Sequence, residues 1–545
     1  MTSLPTRITP KDLTEQLETY FKAPITPQEL VQLIRPARLQ LRDIPLQSRE
    51  EYGHYPQFWE TLAKVWEGLS SSSLGDQAER DAIQAMGAFL ISLTTQNKHN
   101  QMQAILNVEE SLRKILITAS SLFNLEDAAY QSMTRTLCQA LANLVTANEE
   151  AASLYFPKRL ESENEDQLLQ RLLATPDEGT LQALLIFILN SIHSSPSRAL
   201  LLGTSPMGSI VLDRILILIS SIYDHDSENK PAPSFEQGGN DVFSLSFAIV
   251  QQIIILGVFP QTYLAHPLME GYSISPSLII LLKFLDGHLS LPSTYSSPLP
   301  PSLIQFLFER LEGLSKCVLE EGGEEGGRRA RDASDAQVFQ GVVLILHCLV
   351  EIGLGREAEL SRRENLGAEL GVEEEEEEGL RDENGIELVI RLLNFSKTSI
   401  PLPAPRPPPI TPKIVEIPSP PPTAAPTPDD SPNIPAYQLL KLICVKYLGI
   451  ISFASPTRPL SPAIKAGIER VQDLIREKGG LGLLLGMCQI DGQNPTLREH
   501  ALFAIRNILK GNLKNQDYIE SLKPEYKVLD DGSLEDLPPA LRPTN

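Results

Sequence analysis

The sequence predicts an all-α protein built from stacked helical repeats, an α-solenoid, and three observations carry that prediction. Leu- and Ile-rich runs with apolar residues at i, i+3, i+4 and i+7 dominate the chain, while alternating period-two runs are scarce. A helix followed by an asparagine-bearing turn recurs at irregular intervals. The 545 residues are 42% hydrophobic but only 6% aromatic, which gives ample core material of a kind suited to interdigitating helices.

The clearest unit begins at Asn494, in NPTLREHALFAIRNILKGNLKNQDYI. Ala501, Ala504, Ile505, Ile508 and Leu509 fall on one helical face and predict a buried stripe. Asn494 is expected to cap this helix with Pro495 as its first residue, and Gly511 to end it in a left-handed conformation. A second copy, TRTLCQALANLVTANEEAASLYF, places Leu137, Ala140, Leu141, Leu144 and Val145 at the same offsets. Asn143 and Asn148 then align with Asn507 and Asn512. In FLISLTTQNKHNQ, Asn97, Asn100 and Gln101 stand where Asn512, Asn515 and Gln516 do, and IFILNSIHSSPSRALLL puts Asn190 at the Asn507 position. No such unit buries its apolar face alone, so neighbours must stack.

Composition divides the chain further. Residues 1–319 read as N-terminal helical repeats, and 320–336 (EEGGEEGGRRARDASDA) as an acidic, Gly-rich linker. A helix is expected over 337–354, an acidic low-complexity segment over 355–384 with a six-glutamate run from Glu373 to Glu378, and another helix over 385–398. Residues 399–435 hold fifteen of the 43 prolines and predict an extended linker, because proline lacks the backbone donor that helix and sheet require. Compact helices return over 436–530, and 531–545 reads as a disordered tail. Within the proline-rich linker, Arg406, Pro409 and Pro412 match an R-x-x-P-x-x-P ligand for an SH3 groove. Thr411, Ser419, Thr427 and Ser431 each precede proline and are candidate phosphosites.

A net charge of −22 and a pI near 4.9 argue against a nucleic-acid partner, whose phosphates call for clustered Lys and Arg. The cysteines Cys138, Cys317, Cys348, Cys444 and Cys488 are widely spaced beside apolar runs and are expected to be buried, reduced thiols. No C-x-C or C-x-x-C occurs, and the seven methionines never fall three or four apart, so no metal site is expected. No G-x-S-x-G elbow, P-loop, dinucleotide fingerprint or H-E-x-x-H occurs, so neither catalytic residues nor a cofactor are expected. The N-terminus lacks the apolar core of a signal peptide. The uncharged stretch from Val242 to Met269 is long enough to span a bilayer, but Gln251, Gln252 and Pro260 interrupt it and no basic cluster flanks it. It reads as a buried helix, with no membrane span expected.

The stretch IREKGGLGLLLGMCQIDGQNPTLREHALFAIRNI resembles an armadillo repeat: a helix, the Gly479-Gly480 bend, a Leu-rich second helix and a long third helix. The wording CQIDGQNP, REHALFAIRNI and NQDYI resembles the C-terminal domain of the ataxin-10 family, from about Pro435 to Lys523. The resemblance implies a cytoplasmic, non-enzymatic, armadillo/HEAT-like α-solenoid with disordered acidic and proline-rich insertions. It implies protein partners, a tendency to form homo-oligomers and a link to cytokinesis. Some fungal relatives carry a copper-transport label, for which this chain has no direct ligand set. A transport or signalling adaptor of the importin/catenin-like armadillo class is the alternative. On such scaffolds the third helix lines a groove where an Asn amide both donates to and accepts from an extended peptide. Asn143, Asn190 and Asn507 are the candidates, with Arg506 placed to pair with an acidic ligand. The other reading has these asparagines capping or bridging the corner of their own repeat. The groove reading expects Asn143→Ala with Asn507→Ala to leave thermal stability nearly unchanged.

Overall fold

In the computed structural model the described residues are 8–22, 26–161, 167–226, 241–268, 273–296, 299–320, 333–365, 379–398, 434–455, 462–489, 491, 494–522, 526–528 and 534–536. They are helical apart from connecting turns and one short strand pair, and the chain divides into two compact units, Met1–Pro267 and Leu268–Asn545. The all-α solenoid reading therefore holds.

In the first unit the principal helices are α1 (Pro27–Asp43), α2 (Gln77–Thr94), α3 (Lys98–Asn107), α4 (Ala128–Val145), α5 (Glu149–Glu161), α6 (Glu178–Ile192), α7 (Pro196–Thr204) and α8 (Val242–Ile255). The long ones, α1, α2, α4, α6 and α8, pack side by side in a row, each against the next. Met86, Phe89, Leu90 and Leu93 of α2 and Leu137, Leu141 and Leu144 of α4 are buried between them. Each such side chain contributes roughly 1.5–3 kcal/mol by leaving water. The approach of α2 to α4 is close enough to require a glycine: a Cβ on Gly87 would lie 2.9 Å from a methyl of Leu137. The uncharged stretch beginning at Val242 is buried as α8 and then broken, because Gly257 takes φ 73° and the chain turns by 110° into Phe259–Ala265.

The second unit contains α9 (Pro276–Leu289), α10 (Pro301–Glu320), α11 (Ala333–Asn365), α12 (Glu383–Thr398), α13 (Ile434–Ile451), α14 (Pro462–Glu477), α15 (Leu497–Leu509) and α16 (Leu513–Ser521). Here α9, α11, α13 and α15 form one row and α10, α12, α14 and α16 a second. Strands β1 (Tyr526–Val528) and β2 (Leu534–Asp536) pair antiparallel, so part of the tail expected to be disordered is ordered. Two expected boundaries move. Helices α9 and α10 belong with α11 and α12 rather than with the N-terminal block ending at 319, because they bury their apolar faces there. The change in composition at 320 interrupts the sequence without interrupting the packing. Helix α11 also runs to Asn365, eleven residues into the stretch expected to be acidic spacer. By length and composition the part from Ala336 to Arg362 could cross a membrane, and 61% of its apolar window is buried against neighbouring helices. The runs 321–332, 366–378 and 399–433 lie outside the described residues. With them lie Glu373 to Glu378, Arg406, Pro409, Pro412, Thr411, Ser419, Thr427 and Ser431.

Four helix-to-helix corners share one geometry. Thr95, Thr146, His193 and Lys510 close their helices in extended backbone with ψ of 120, 121, 128 and 113°. The next residue in each case, Gln96, Ala147, Ser194 or Gly511, has positive φ (55, 55, 54 and 74°). The residue after that donates its N–H across the turn to the helix-end carbonyl, Asn97 to Thr94 at 3.1 Å and Asn512 to Leu509 at 3.3 Å. This is a type II turn, whose third position favours glycine. Only one corner has it.

A left-handed conformation costs an L-residue other than glycine about 1 kcal/mol or more. Ala147→Gly is therefore expected to stabilise the chain by about 1 kcal/mol and Gly511→Ala to destabilise it by a similar amount, read from urea unfolding followed by circular dichroism. Equal midpoints for the two variants would refute the assigned turn.

Candidate functional site: the corners between repeats

Each corner begins with a cap. The Asn97 side chain accepts the Asn100 N–H at 3.0 Å, and Asn512 accepts that of Asn515 at 3.0 Å. Asn148 does the same for Ala151, and Ser195 for Arg198. The residue three positions on then reaches back. Asn100 Nδ2 donates to the Leu93 carbonyl and to the Arg49 carbonyl, both at 3.0 Å. Asn515 Nδ2 donates to Ile508 at 3.1 Å and to Gln472 at 3.0 Å. Arg198 occupies the same position at the Ser195 corner. Its Nε donates to the Ser191 carbonyl, and its Nη atoms reach the Glu149 carboxylate at 2.5 and 2.8 Å. That pairing holds the Glu149 carboxyl below its usual range.

A second set of bonds runs from one repeat to the next. Gln101 on α3 is 1% exposed and donates to the carbonyls of Asn143 at 2.7 Å and Thr146 at 3.1 Å, which end α4. Gln472 on α14 donates to Asn507 at 2.9 Å and Lys510 at 3.3 Å, the matching carbonyls of α15. A helix leaves its last carbonyls without internal partners, so each of these amides satisfies a pair that would otherwise be orphaned in the core. The sequence had marked Gln101 only as an aligned residue and Gln472 not at all. No periodicity distinguishes a latch glutamine from a solvated one.

The groove asparagines are placed by the same network. Asn143 Nδ2 donates to Thr94 Oγ1 at 2.6 Å and the Ile91 carbonyl at 3.4 Å, across to α2. Asn507, 4% exposed, donates to the Gly449 carbonyl of α13 at 2.9 Å. Asn190 Nδ2 donates to Thr146 Oγ1 at 2.9 Å. Asn143 and Asn507 thus bridge to the preceding row helix rather than within their own repeat. Arg506 is exposed on α15. Asn494 is not the cap of α15, which starts at Leu497 after Thr496. Its amide donates instead to the Gln438 carbonyl on α13 at 3.0 Å. Ile505 and Leu509 are half-buried, and the stripe that is fully buried is Leu497, Ala501, Ala504 and Ile508.

Three thiols, Cys138, Cys348 and Cys444, are buried, and burial pushes all three up, Cys138 to about 12. Cys317 and Cys488 are only partly covered, against expectation. Among the described residues no group of three or more His, Cys, Asp or Glu is arranged to hold a metal ion. A compact ionisable cluster ties α9 to α11. His347 Nδ1 lies 2.5 Å from Asp286 Oδ1, and this hydrogen bond raises the imidazole, while burial raises Glu351 one turn further on.

Loss of a buried amide donor strands a carbonyl at a cost of about 1–3 kcal/mol. Asn507→Ala is expected to lower unfolding free energy by about 2 kcal/mol and Asn143→Ala, less buried, by about 1 kcal/mol. An unchanged melting temperature in both would restore the free-groove reading. In the native protein, Cys317 and Cys488 are expected to react with an aromatic disulfide reagent at pH 8, and the other three thiols only after addition of urea. Rapid native reaction of Cys138 would refute its burial.

Residues 467–539 match the family model described as the spinocerebellar ataxia type 10 protein domain. The ataxin-10 homolog of Saccharomyces cerevisiae is 33% identical over 91 residues, 17% of this chain and 14% of that protein. The ataxin-10 homolog of Dictyostelium discoideum is 46% identical over 66 residues, 12% and 11% of the two chains. Ataxin-10 of Xenopus tropicalis is 43% identical over 63 residues, 12% and 13%. The matched stretch thus spans about a seventh or less of these relatives. Among solved structures, a SYS-1/POP-1 complex aligns over 92% of this chain and 99% of its own, at TM-score 0.36 and 11% identity. A structure concerning the cadherin and beta-catenin interaction aligns over 92% and 77%, at TM-score 0.32 and 13% identity. Scores this low add nothing to the helix packing already described. The C-terminal stretch that contains the latch Gln472, the bridge Asn507 and the Asn512 corner thus matches the domain that ataxin-10 proteins carry.

Proposed function

We propose that the chain is a non-enzymatic armadillo-type scaffold that binds protein partners in the cytoplasm and acts in cytokinesis. The single observation that carries this reading is the C-terminal domain match, which begins inside α14 and takes in the last complete corner. The packing supports the scaffold part. Rows of helices held by buried amide latches present long, fixed surfaces and leave their polar side chains engaged in structure rather than poised for chemistry. Arg506 is the exposed residue of the expected groove set, so it is assigned the contact with an acidic partner. The linker positions Arg406, Pro409 and Pro412, and the four proline-directed serines and threonines, serve this reading as a linear docking motif under phosphorylation control.

The test is affinity purification with mass spectrometry from dividing cells, paired with microscopy of cells lacking the chain. Multinucleate cells, rescued by the full chain and not by Arg506→Glu, are the expected outcome, with partners lost from the variant. Normal separation of daughter cells without the chain would overturn the role in cytokinesis. Partners lost only when 399–433 is deleted would move recognition from the helices to the linker.

A further inference from the structure

Helix α1 buries Leu30, Ile34, Ala37 and Leu41 and turns its opposite side to solvent. On that side Arg35, Arg38 and Arg42 follow one another at i, i+3 and i+7, so a single helical face carries three guanidinium groups. All three arginines are exposed, and Leu39, set among them, is 46% exposed. Leu46, just past the end of the helix, is 41% exposed. The face is held rigidly, because a capping box between Thr26 and Glu29 fixes the first turn of α1 and the buried stripe fixes the rest.

The fold does not account for this stripe. Elsewhere in the same unit Arg49 reaches the Ser92 and Arg42 carbonyls, Arg80 the Leu74 carbonyl, and Arg198 the Glu149 carboxylate. Among the described residues no carboxylate lies within ion-pair distance of Arg35 or Arg38. The Arg42 guanidinium meets its neighbour Asp43 at 3.5 Å, with the two side chains 69% and 70% exposed, and a pair so open to water contributes little. Like charges three and four apart on a helix repel, so the stripe is unfavourable to α1 by itself.

We propose that this face of α1 docks a short acidic segment of another protein, in which carboxylates flank a bulky apolar residue. The geometry sets that pattern. From Arg35 to Arg42 the helix rises roughly 10 Å, at 1.5 Å per residue. An extended peptide advances about 3.3 Å per residue, so carboxylates about three residues apart reach both ends of the stripe while the apolar residue between them covers Leu39. Arginine suits the task because its planar fork takes a carboxylate through paired hydrogen bonds. A short segment brings few charges to a chain carrying −22, whereas a nucleic acid or an anionic bilayer brings many, and Asp43 at the edge of the stripe repels either.

The inference goes beyond the scaffold reading and does not depend on it. The probe is a fluorescein-labelled peptide of three Glu-Gly-Leu-Glu units, added to the full chain in about 50 mM salt and followed by fluorescence anisotropy. Saturable binding is expected, weakened about tenfold by Arg35→Gln, Arg38→Gln and Arg42→Gln together, at unchanged melting temperature, and severalfold by Leu39→Ser. Salt at about 0.5 M is expected to weaken binding to the native chain and to change the triple variant little. Binding that does not saturate, or that the triple variant leaves unchanged, overturns the proposal. Loss of binding on Arg506→Glu, with the triple variant still binding, would assign the acidic ligand to α15 and overturn it too. Vesicles of phosphatidylserine and phosphatidylcholine in equal parts, or a single-stranded oligonucleotide, bound more tightly than the peptide through the same three arginines, would make the face a membrane or nucleic-acid surface and also overturn it.

Discussion

The structure depends on what happens to the last carbonyls of each row helix. Four of them per helix have no partner within the helix, and in a stack they end inside the protein, where an unmet carbonyl costs about 1–3 kcal/mol. A water molecule would serve at a surface. Here the next or preceding repeat supplies a side-chain amide: Gln101 to Asn143 and Thr146, Gln472 to Asn507 and Lys510, Asn507 to Gly449. A glutamine or asparagine suits this because its NH2 carries two donors and its charge is zero, so two carbonyls are met without burying an ion.

That constraint explains the shape of the corner. For the residue three past the cap to reach a carbonyl seven positions back, the chain must reverse within two residues, and a type II turn with one left-handed residue achieves this. Gly511 does so without strain; Gln96, Ala147 and Ser194 do so against their own preference. Each is followed by a side-chain cap, from Asn97, Asn148 or Ser195, and the Ala147 corner is also latched by Gln101. Where the reaching residue is Arg198 instead of asparagine, the corner gains a carboxylate partner in Glu149 and becomes an ion pair between repeats. One geometry thus accepts two chemistries.

Much of this was legible in the sequence, and the part that was not has a physical cause. The helical class, the stacking, the equivalence of Asn97, Asn148 and Asn512, and the left-handed Gly511 all follow from local pattern, since caps and turns are made within a few residues. The roles of Asn143 and Asn507 do not, because their partners lie far upstream, Thr94 and Ile91 by 49 and 52 residues and Gly449 by 58, and Ile91 and Gly449 contribute only a carbonyl, which no side chain announces. The unit boundary was misplaced for a related reason. Acidic and glycine-rich composition marks where chain leaves the core, not which helices share one, and α10 and α11 pack together although residues 321–332 separate them.

An interior layer of a helical stack has two faces to satisfy, and a terminal layer has one. Natural stacks commonly close with a repeat whose outer face is polar. The repeat of α15 and α16 is polar in part, with Lys510, Lys514 and Asp517 exposed, but it also keeps Leu502 and Leu513 exposed at interior-type positions. The buried bonds of α15 and α16 explain Asn507, Gly511, Asn512 and Asn515, each of which the corner uses. They do not explain a leucine at 513, where the equivalent residues are Lys98, Glu149 and Pro196. An apolar side chain in that place is a cost to the isolated chain, since its burial would contribute roughly 1.5–3 kcal/mol and its exposure contributes none of it. Leu502 and Leu513 thus keep an interior pattern on the outer face of α15 and α16.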